Sequence, residues 1–418
     1  MRSLEDYREI VGDKVILEIS ERTRKLQGKR VIHVNSTYQG GGVAQILNSL
    51  VPLMNDVGIE ADWRILHGTT DFFTITKKFH NALQGAPIRL SDIKKQLYVQ
   101  TSEEFSRHCY LDADCVIVHD PQPLPMIKFY KKHQPWIWRC HIDLTDPNMH
   151  LWEYLESFVV RYDMVIISNR EYAKEDLPIE QRIIYPAIDP LSLKNTEISD
   201  FLMWKYITKA GIPTDKPVIT QVSRMDPWKD PEGLLEVFGR VREKVDCRLI
   251  YCYDMATDDP EGAEVYYRVR RKAKKLFGKG DVIFILGNNQ VLVNAIQRFS
   301  NVILQKSIRE GFCLAVTEAL WKGTPVVSTK VGGIPIQIQD GVNGFLVDPH
   351  DSEAFADRVV HLLQNPSLAA ELGSKGRETV KEKFLITRLL LDYSDMLSDV
   401  ITHGHENTAP HLADAVSS

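Results

Sequence analysis

Short apolar runs of strand length alternate with segments of helical period along almost the whole chain, and this alternation limits the fold to parallel sheets covered by helices. In the first half the runs are Val31–Asn35, Ala61–Leu66, Cys115–Val118, Trp136–Cys140, Met164–Ile167 and Arg182–Tyr185. In the second half they are Val218–Val222, Cys247–Cys252, Val282–Leu286, Val302–Leu304, Val326–Ser328 and Phe345–Val347. A chain of 418 residues exceeds one ordinary core. The expected fold class is therefore α/β, with two Rossmann-like, doubly wound domains. The junction falls between Pro186 and Pro217, where a Pro-rich segment and the polar stretch Lys194–Asp200 interrupt the pattern. The boundaries expected are 1–190, a linker at 191–216, 217–384, a last helical pattern within 385–402 and a loose tail at 405–418.

The balance of 51 basic against 56 acidic residues gives a net charge of −5, which disfavours nucleic acid or an anionic membrane as partner. The N-terminus MRSLEDYREI is too charged for a secretory signal, and no apolar run approaches a membrane span, so a cytoplasmic location is expected. Six cysteines follow no zinc or secreted spacing. Cys115, Cys140, Cys247 and Cys252 fall in or beside apolar runs and read as buried thiols.

The strongest chemical signal is REGFCLAVTEALWKGTPVVSTKVGG, ending at Gly333. It places Glu310 and Glu318 eight residues apart, on either side of a glycine-led turn into a helix. Gly311 frees the backbone where the helix begins, near Phe312, Cys313 and Leu314. Unpaired N–H groups and the positive end of the helix dipole stabilise a diphosphate there. A carboxylate before the helix can accept hydrogen bonds from sugar hydroxyls, and one about two turns on can hold a ribose. This is the constellation that binds a sugar nucleotide.

Three further motifs follow strands. Gln39, Gly40, Gly41 and Gly42 open a helix after the first strand. Gly41 and Gly42 are assigned to a donor molecule, Gln39 and Gly40 to an acceptor. A dinucleotide oxidoreductase is the rival reading, but Gln45 stands where that fingerprint requires Gly or Ala. In SRMDPWKD, Arg224 and Lys229 can neutralise a leaving pyrophosphate. At two neighbouring strand ends, Asp120 can accept from an acceptor hydroxyl and His141 can hold the donor sugar. Arg139 is the alternative in that motif, as a salt-bridge partner. Asp112 and Asp114 have the D-x-D form of a metal site, yet they precede a strand at the end away from the crevice. They read as a turn.

The Glu310 block resembles the E-x7-E signature of retaining glycosyltransferases with the two-lobed GT-B fold, a group that includes sucrose synthases and bacterial glycogen synthases. The resemblance implies that Glu310 contacts the donor sugar, that Glu318 contacts the nucleotide ribose, and that Arg224 and Lys229 form the cationic pair after the first strand of the second lobe. It also implies that the last helix crosses back onto the first lobe. Two departures stand out: Cys313 replaces a usual glycine, and Lys306-Ser307 replaces Pro-Ser. The string VNSTYQGGGVAQILNSLVPLMNDVGIEADWRILHG, with SRMDPWKDP, narrows the resemblance to trehalose glycosyltransferring synthases and, beyond them, to retaining trehalose phosphorylases.

The implied reaction joins a nucleoside-diphosphate glucose, such as UDP- or ADP-glucose, to free glucose, giving trehalose. Its expected course is reversible same-face displacement without an enzyme nucleophile, with His141, Arg224, Lys229 and Glu310 as the catalytic group. Transfer from glucose 1-phosphate, or to another acceptor, is the alternative, and the residues Leu286–Leu292 with Glu318 are expected to form the discriminating nucleotide pocket. A non-catalytic sugar-nucleotide sensor is the rival from another class. No obligatory cofactor is implied, magnesium acting at most as a stimulant carried by the nucleotide. The expected assembly is a homodimer.

Overall fold

A computed structural model describes residues 2–254 and 261–403. The tail expected at 405–418 lies outside the described residues. Twelve strands form two six-stranded sheets, and each overlaps one apolar run of the sequence. The first sheet runs β2 (Glu60–Ile65), β1 (Arg30–Asn35), β3 (Cys115–His119), β4 (Trp136–Arg139), β5 (Met164–Ile167), β6 (Glu180–Ile183). The second runs β12 (Phe345–Val347), β11 (Val326–Thr329), β10 (Val302–Gln305), β7 (Val218–Arg224), β8 (Arg248–Asp254), β9 (Val282–Leu286). Neighbouring strands pair in parallel.

Side chains alternate between the faces of the first sheet as the pleat requires. Val116, Val118, Trp136 and Trp138 enter one core with Phe79 and Tyr98, while Cys115, Ile117 and Ile137 enter the other. The second core also takes Ile386, Leu389, Leu390, Tyr393, Met396 and Leu397, so the last helix, Ile386–His403, packs on the first lobe. Each such leucine contributes about 1.5–3 kcal/mol by leaving water. The linker is fastened to this helix: Ile188 N–H donates to Phe384 O at 2.9 Å, and Ile386 N–H donates to Ile188 O at 2.9 Å. All six cysteines are free thiols, and those in or beside strands are buried. Among the described residues, no helix is long and apolar enough to cross a membrane.

Two boundaries differ from the sequence reading in ways that matter. The strand expected at Arg182–Tyr185 is displaced to Glu180–Ile183, because its register is set by the four residues of β5, from Met164↔Glu180 to Ile167↔Ile183. The strand expected to end at Val222 continues to Arg224, which pairs with Asp254 of β8. Arg224 is thus the last residue of a strand and not part of a loop.

In each sheet the strand order reverses at one point, between β1 and β3 in the first lobe and between β7 and β10 in the second. Open parallel sheets bind ligands outside the carboxyl ends of the strands at such points. The lobes meet there. Lys77 of helix Thr70–Leu83 pairs with Asp226, Trp228 Nε1 donates to Asn81 Oδ1 at 3.1 Å, and Asn169 Nδ2 donates to Gly332 O at 3.1 Å.

Candidate active site

The carboxyl ends of β1, β3, β4, β7 and β10 enclose a cleft of about 340 Å³ between the lobes. Of the residues singled out in the sequence, His141, Arg224, Lys229, Glu310, Gly40, Gly41, Gly42, Gly311, Phe312, Cys313, Leu314 and Asp120 line it. Gln39 does not. It is exposed on the turn after β1, where Thr37 Oγ1 bonds its main chain.

Lys229 and Glu310 form the centre of the second-lobe wall, with Nζ 2.5 Å from Oε1. The same carboxylate oxygen accepts from Ser307 Oγ at 2.9 Å and Gln305 Nε2 at 3.2 Å. Oε2 accepts no hydrogen bond among the described residues and is the atom left for a ligand hydroxyl. Burial works against the Lys229 charge, but the adjacent Glu310 carboxylate outweighs it and holds the lysine pKa above its usual value. Arg224 lies 3.4 Å from Asp226. Burial opposes ionisation of Asp226, yet Lys77, then Arg224, keep its carboxyl well below the ordinary range. The site therefore carries fixed positive charge where a pyrophosphate would lie.

The turn after Glu310 is built by close backbone approach. A Cβ on Gly311 would stand 1.9 Å from the carbonyl oxygen of His141, and one on Gly332 would stand 1.7 Å from that of Glu310. Tyr172, from the first lobe, donates its hydroxyl to Glu310 O at 2.8 Å and shares it with Gly311 O at 2.9 Å. Cys313 caps the helix Leu314–Trp321 with φ +73°, in the left-handed region that favours glycine. The departure noted in the sequence is thus a real backbone constraint, beyond a matter of packing size. Burial, followed by the Glu310 charge, pushes the Cys313 thiol pKa well up, which suits a protonated, unreactive side chain.

Across the cleft, Asp120 also has positive φ, +61°. Its Oδ1 accepts the His141 N–H at 2.8 Å, and its carbonyl accepts Trp138 Nε1–H at 3.0 Å, so the two strand ends are locked together. His141 is held neutral by burial and then by Arg139. Arg139 is not the salt-bridge partner considered from sequence. It is 1% exposed and donates to the carbonyls of Ile167 and Ile184 at 3.1 and 2.7 Å and to Ser168 Oγ at 3.3 Å.

Glu318 lies behind the cleft wall, fully buried. Lys194 of the linker pairs with it at 2.8 Å, Gln45 of the first lobe donates at 2.7 Å, and Gln297 donates at 3.4 Å. Lys194 and Gln45 themselves line the cleft. From the segment Leu286–Leu292, Gly287 lines it, beside Cys252, Tyr253 and Val293. Sequence reasoning missed Lys77, Tyr172, Lys194 and the cleft role of Gln45, because each acts across the lobes and carries no local motif. Asp112 pairs with Arg30 at 2.7 Å and Asp114 with Lys29 at 3.1 Å, at the start of β3 and opposite the cleft.

The chain is similar in fold to solved structures of α,α-trehalose 6-phosphate synthase from Burkholderia multivorans (TM-score 0.72, 14% identity, covering 92% of this chain and 100% of that one) and of HepE from Anabaena (TM-score 0.70, 16% identity, 89% and 100%). Residues 203–379 match the family described as glycosyl transferases group 1. Fold and site together define a glycosyltransferase of the two-lobed GT-B class. Residues 33–174 match the trehalose synthase N-terminal domain. Trehalose synthase of Thermococcus litoralis is 46% identical over 402 residues, covering 95% of this chain and 97% of that protein, and the one of Rubrobacter xylanophilus is 41% identical over 407 residues, covering 94% and 95%. A trehalose phosphorylase of Pleurotus pulmonarius is 27% identical, over 91% of this chain and 58% of that protein. The chain belongs to the trehalose synthase family and is a trehalose-metabolising glycosyltransferase.

Proposed function

We propose that the protein makes trehalose from a nucleoside-diphosphate glucose and free glucose, reversibly and with retention at the anomeric carbon. The observation that carries this reading is the Lys229–Glu310 pair at 2.5 Å, with Arg224 in the same cleft wall and Asp120 and His141 opposite. Cations for a leaving pyrophosphate and acceptors for sugar hydroxyls thus face one another. The name of the 46% identical relative supports trehalose as product, and a fold neighbour, HepE, was solved with UDP and glucose.

The proposed course is displacement on one face of the sugar through an oxocarbenium-like state. Glu310 orients the donor: with Oε1 tied to Lys229, Ser307 and Gln305, its carboxylate is a weak nucleophile, and Oε2 takes a sugar hydroxyl. Lys229, Arg224 and the helix start at Leu314 stabilise charge as the C–O bond breaks. A donor phosphate oxygen takes the acceptor's proton. Ribose contact at Glu318 follows once Gln45 or Lys194 yields its bond to that carboxylate. No resident metal takes part in this scheme, and Asp112 and Asp114, engaged by Arg30 and Lys29, lie outside it. Magnesium enters with the nucleotide.

The test is a product assay with glucose and, in turn, UDP-, ADP- and GDP-glucose and glucose 1-phosphate. Trehalose from a nucleotide donor supports the proposal and ranks the bases. Trehalose from glucose 1-phosphate alone replaces it with phosphorolysis.

A further inference from the structure

His33, on β1, His119, at the end of β3, and His141, just past β4, stand in a row because their strands are neighbours. His33 Nδ1 lies 3.0 Å from His119 Nε2, and His119 Nδ1 lies 3.0 Å from His141 Nε2. The first two rings are buried, and the third lines the cleft. Nδ1 of His141 has no hydrogen-bond partner among the described residues.

A neutral imidazole has one N–H and one lone pair, so bonds along such a row must all point the same way. Either every proton sits on Nδ1 and the row donates toward the cleft, or every proton sits on Nε2 and it donates away. The two arrangements differ at the buried end. His33 Nε2 is buried without a partner among the described residues. In the second arrangement that atom is an N–H stranded in the core, and in the first it is a bare lone pair. Stranded donors are the rarer and costlier defect.

The rings are kept neutral, which the argument on direction requires. Burial lowers the pKa of His33 to about 3, and burial followed by neighbouring rings and Arg139 lowers that of His119 well below its usual value. Arg139 has no carboxylate within ion-pair distance among the described residues, so its charge is felt by the row.

We propose that His33 and His119 are positioning residues that fix His141 as its Nδ1–H tautomer, so that the cleft always meets an N–H donor there. A sugar hydroxyl held by that N–H must give its own hydrogen to an acceptor such as Glu310 Oε2, which fixes the direction of the donor's hydrogen bonds. The inference rests on the donor-sugar role given to His141 above.

The experiment is long-range proton–nitrogen NMR of the full chain labelled with nitrogen-15 histidine, assigned with His33→Phe, His119→Phe and His141→Phe. The expected wild-type spectrum shows Nδ1–H and bare Nε2 on all three rings. In His119→Phe, His141 becomes a mixture of tautomers and kcat/KM for the donor falls about 10-fold. His119→Gln, which keeps one amide N–H and one carbonyl over the same span, restores both. A wild-type His141 protonated at Nε2 overturns the proposal, as does an unchanged tautomer and kcat/KM in His119→Phe. If that variant fails to fold, the wild-type spectrum decides alone. Tautomers are read without substrate, so an ordered Nδ1–H row in a protein that makes no trehalose would refute the transferase reading and leave the row intact.

Discussion

Lys77 of the first lobe and Asp226 of the second form an ion pair at 2.8 Å in which the side chains are only 5% and 2% exposed. Removing one partner strands a buried charge. Lys77→Met is expected to lower stability to denaturant by about 3 kcal/mol, and adding Asp226→Asn should recover much of it. The Asp226 pKa is depressed on folding from 3.8, so its contribution is complete above about pH 4 and is lost as pH falls below that value. Acid unfolding should therefore be less steep in the double variant.

Arg224→Ala and Lys229→Ala are each expected to reduce kcat by about 10²–10³, with little change in KM for glucose, because their charge acts on the leaving group. Steady-state kinetics with the preferred donor checks this, and unchanged turnover would remove both residues from the mechanism.

Gly311 and Gly42 give contrasting outcomes under the same change. Gly311→Ala drives a methyl group into the carbonyl of His141, backbone against backbone, and should cost about 3 kcal/mol or more and abolish transfer. At Gly42 the nearest atom to a new Cβ is the flexible end of Leu314, at 3.2 Å. Gly42→Ala should stay within about 1 kcal/mol of wild type. Thermal melts and activity separate the two.

Cys313 occupies left-handed backbone at the head of its helix. Cys313→Gly should preserve activity and change stability by less than about 1 kcal/mol, since relief of strain offsets the greater freedom of glycine in the unfolded chain. Cys313→Val, branched at Cβ, should cost about 2 kcal/mol.

Lys322 is buried against Asn195 Oδ1 at 2.9 Å, and burial, only partly countered by Glu318, lowers its pKa to about 7. Above pH 7 the folded form releases a proton that the unfolded form keeps until near pH 10.5, so stability rises with pH across that window. Denaturation at pH 7 and 9 should show a gain on the order of 1–2 kcal/mol that Lys322→Met lacks.

The strands were legible because each apolar run is short, bounded by polar turns and repeated at the spacing of a strand–helix unit. The strand ends carrying Asp120, His141, Arg224 and Glu310 were legible for the same reason, since chemistry in open parallel sheets gathers at carboxyl ends. What stayed hidden depends on pairing across the molecule. Nothing near Glu318 in sequence indicates that Lys194 from the linker and Gln45 from the other lobe cover it. His33, His119 and His141 become a row only once β1, β3 and β4 are known to be adjacent. The displacement of β6 has the same origin: Ile183, Ile184 and Tyr185 look like a strand, but the register is fixed by β5.

The most direct test of the central claim is a proton NMR time course with carbon-13 glucose as acceptor and the preferred nucleoside-diphosphate glucose as donor. The account predicts an α,α-1,1-linked disaccharide carrying label in one ring only, with one nucleoside diphosphate released for each disaccharide. Release of nucleotide without label in a disaccharide, or a β-configured bond at the donor carbon, would contradict it.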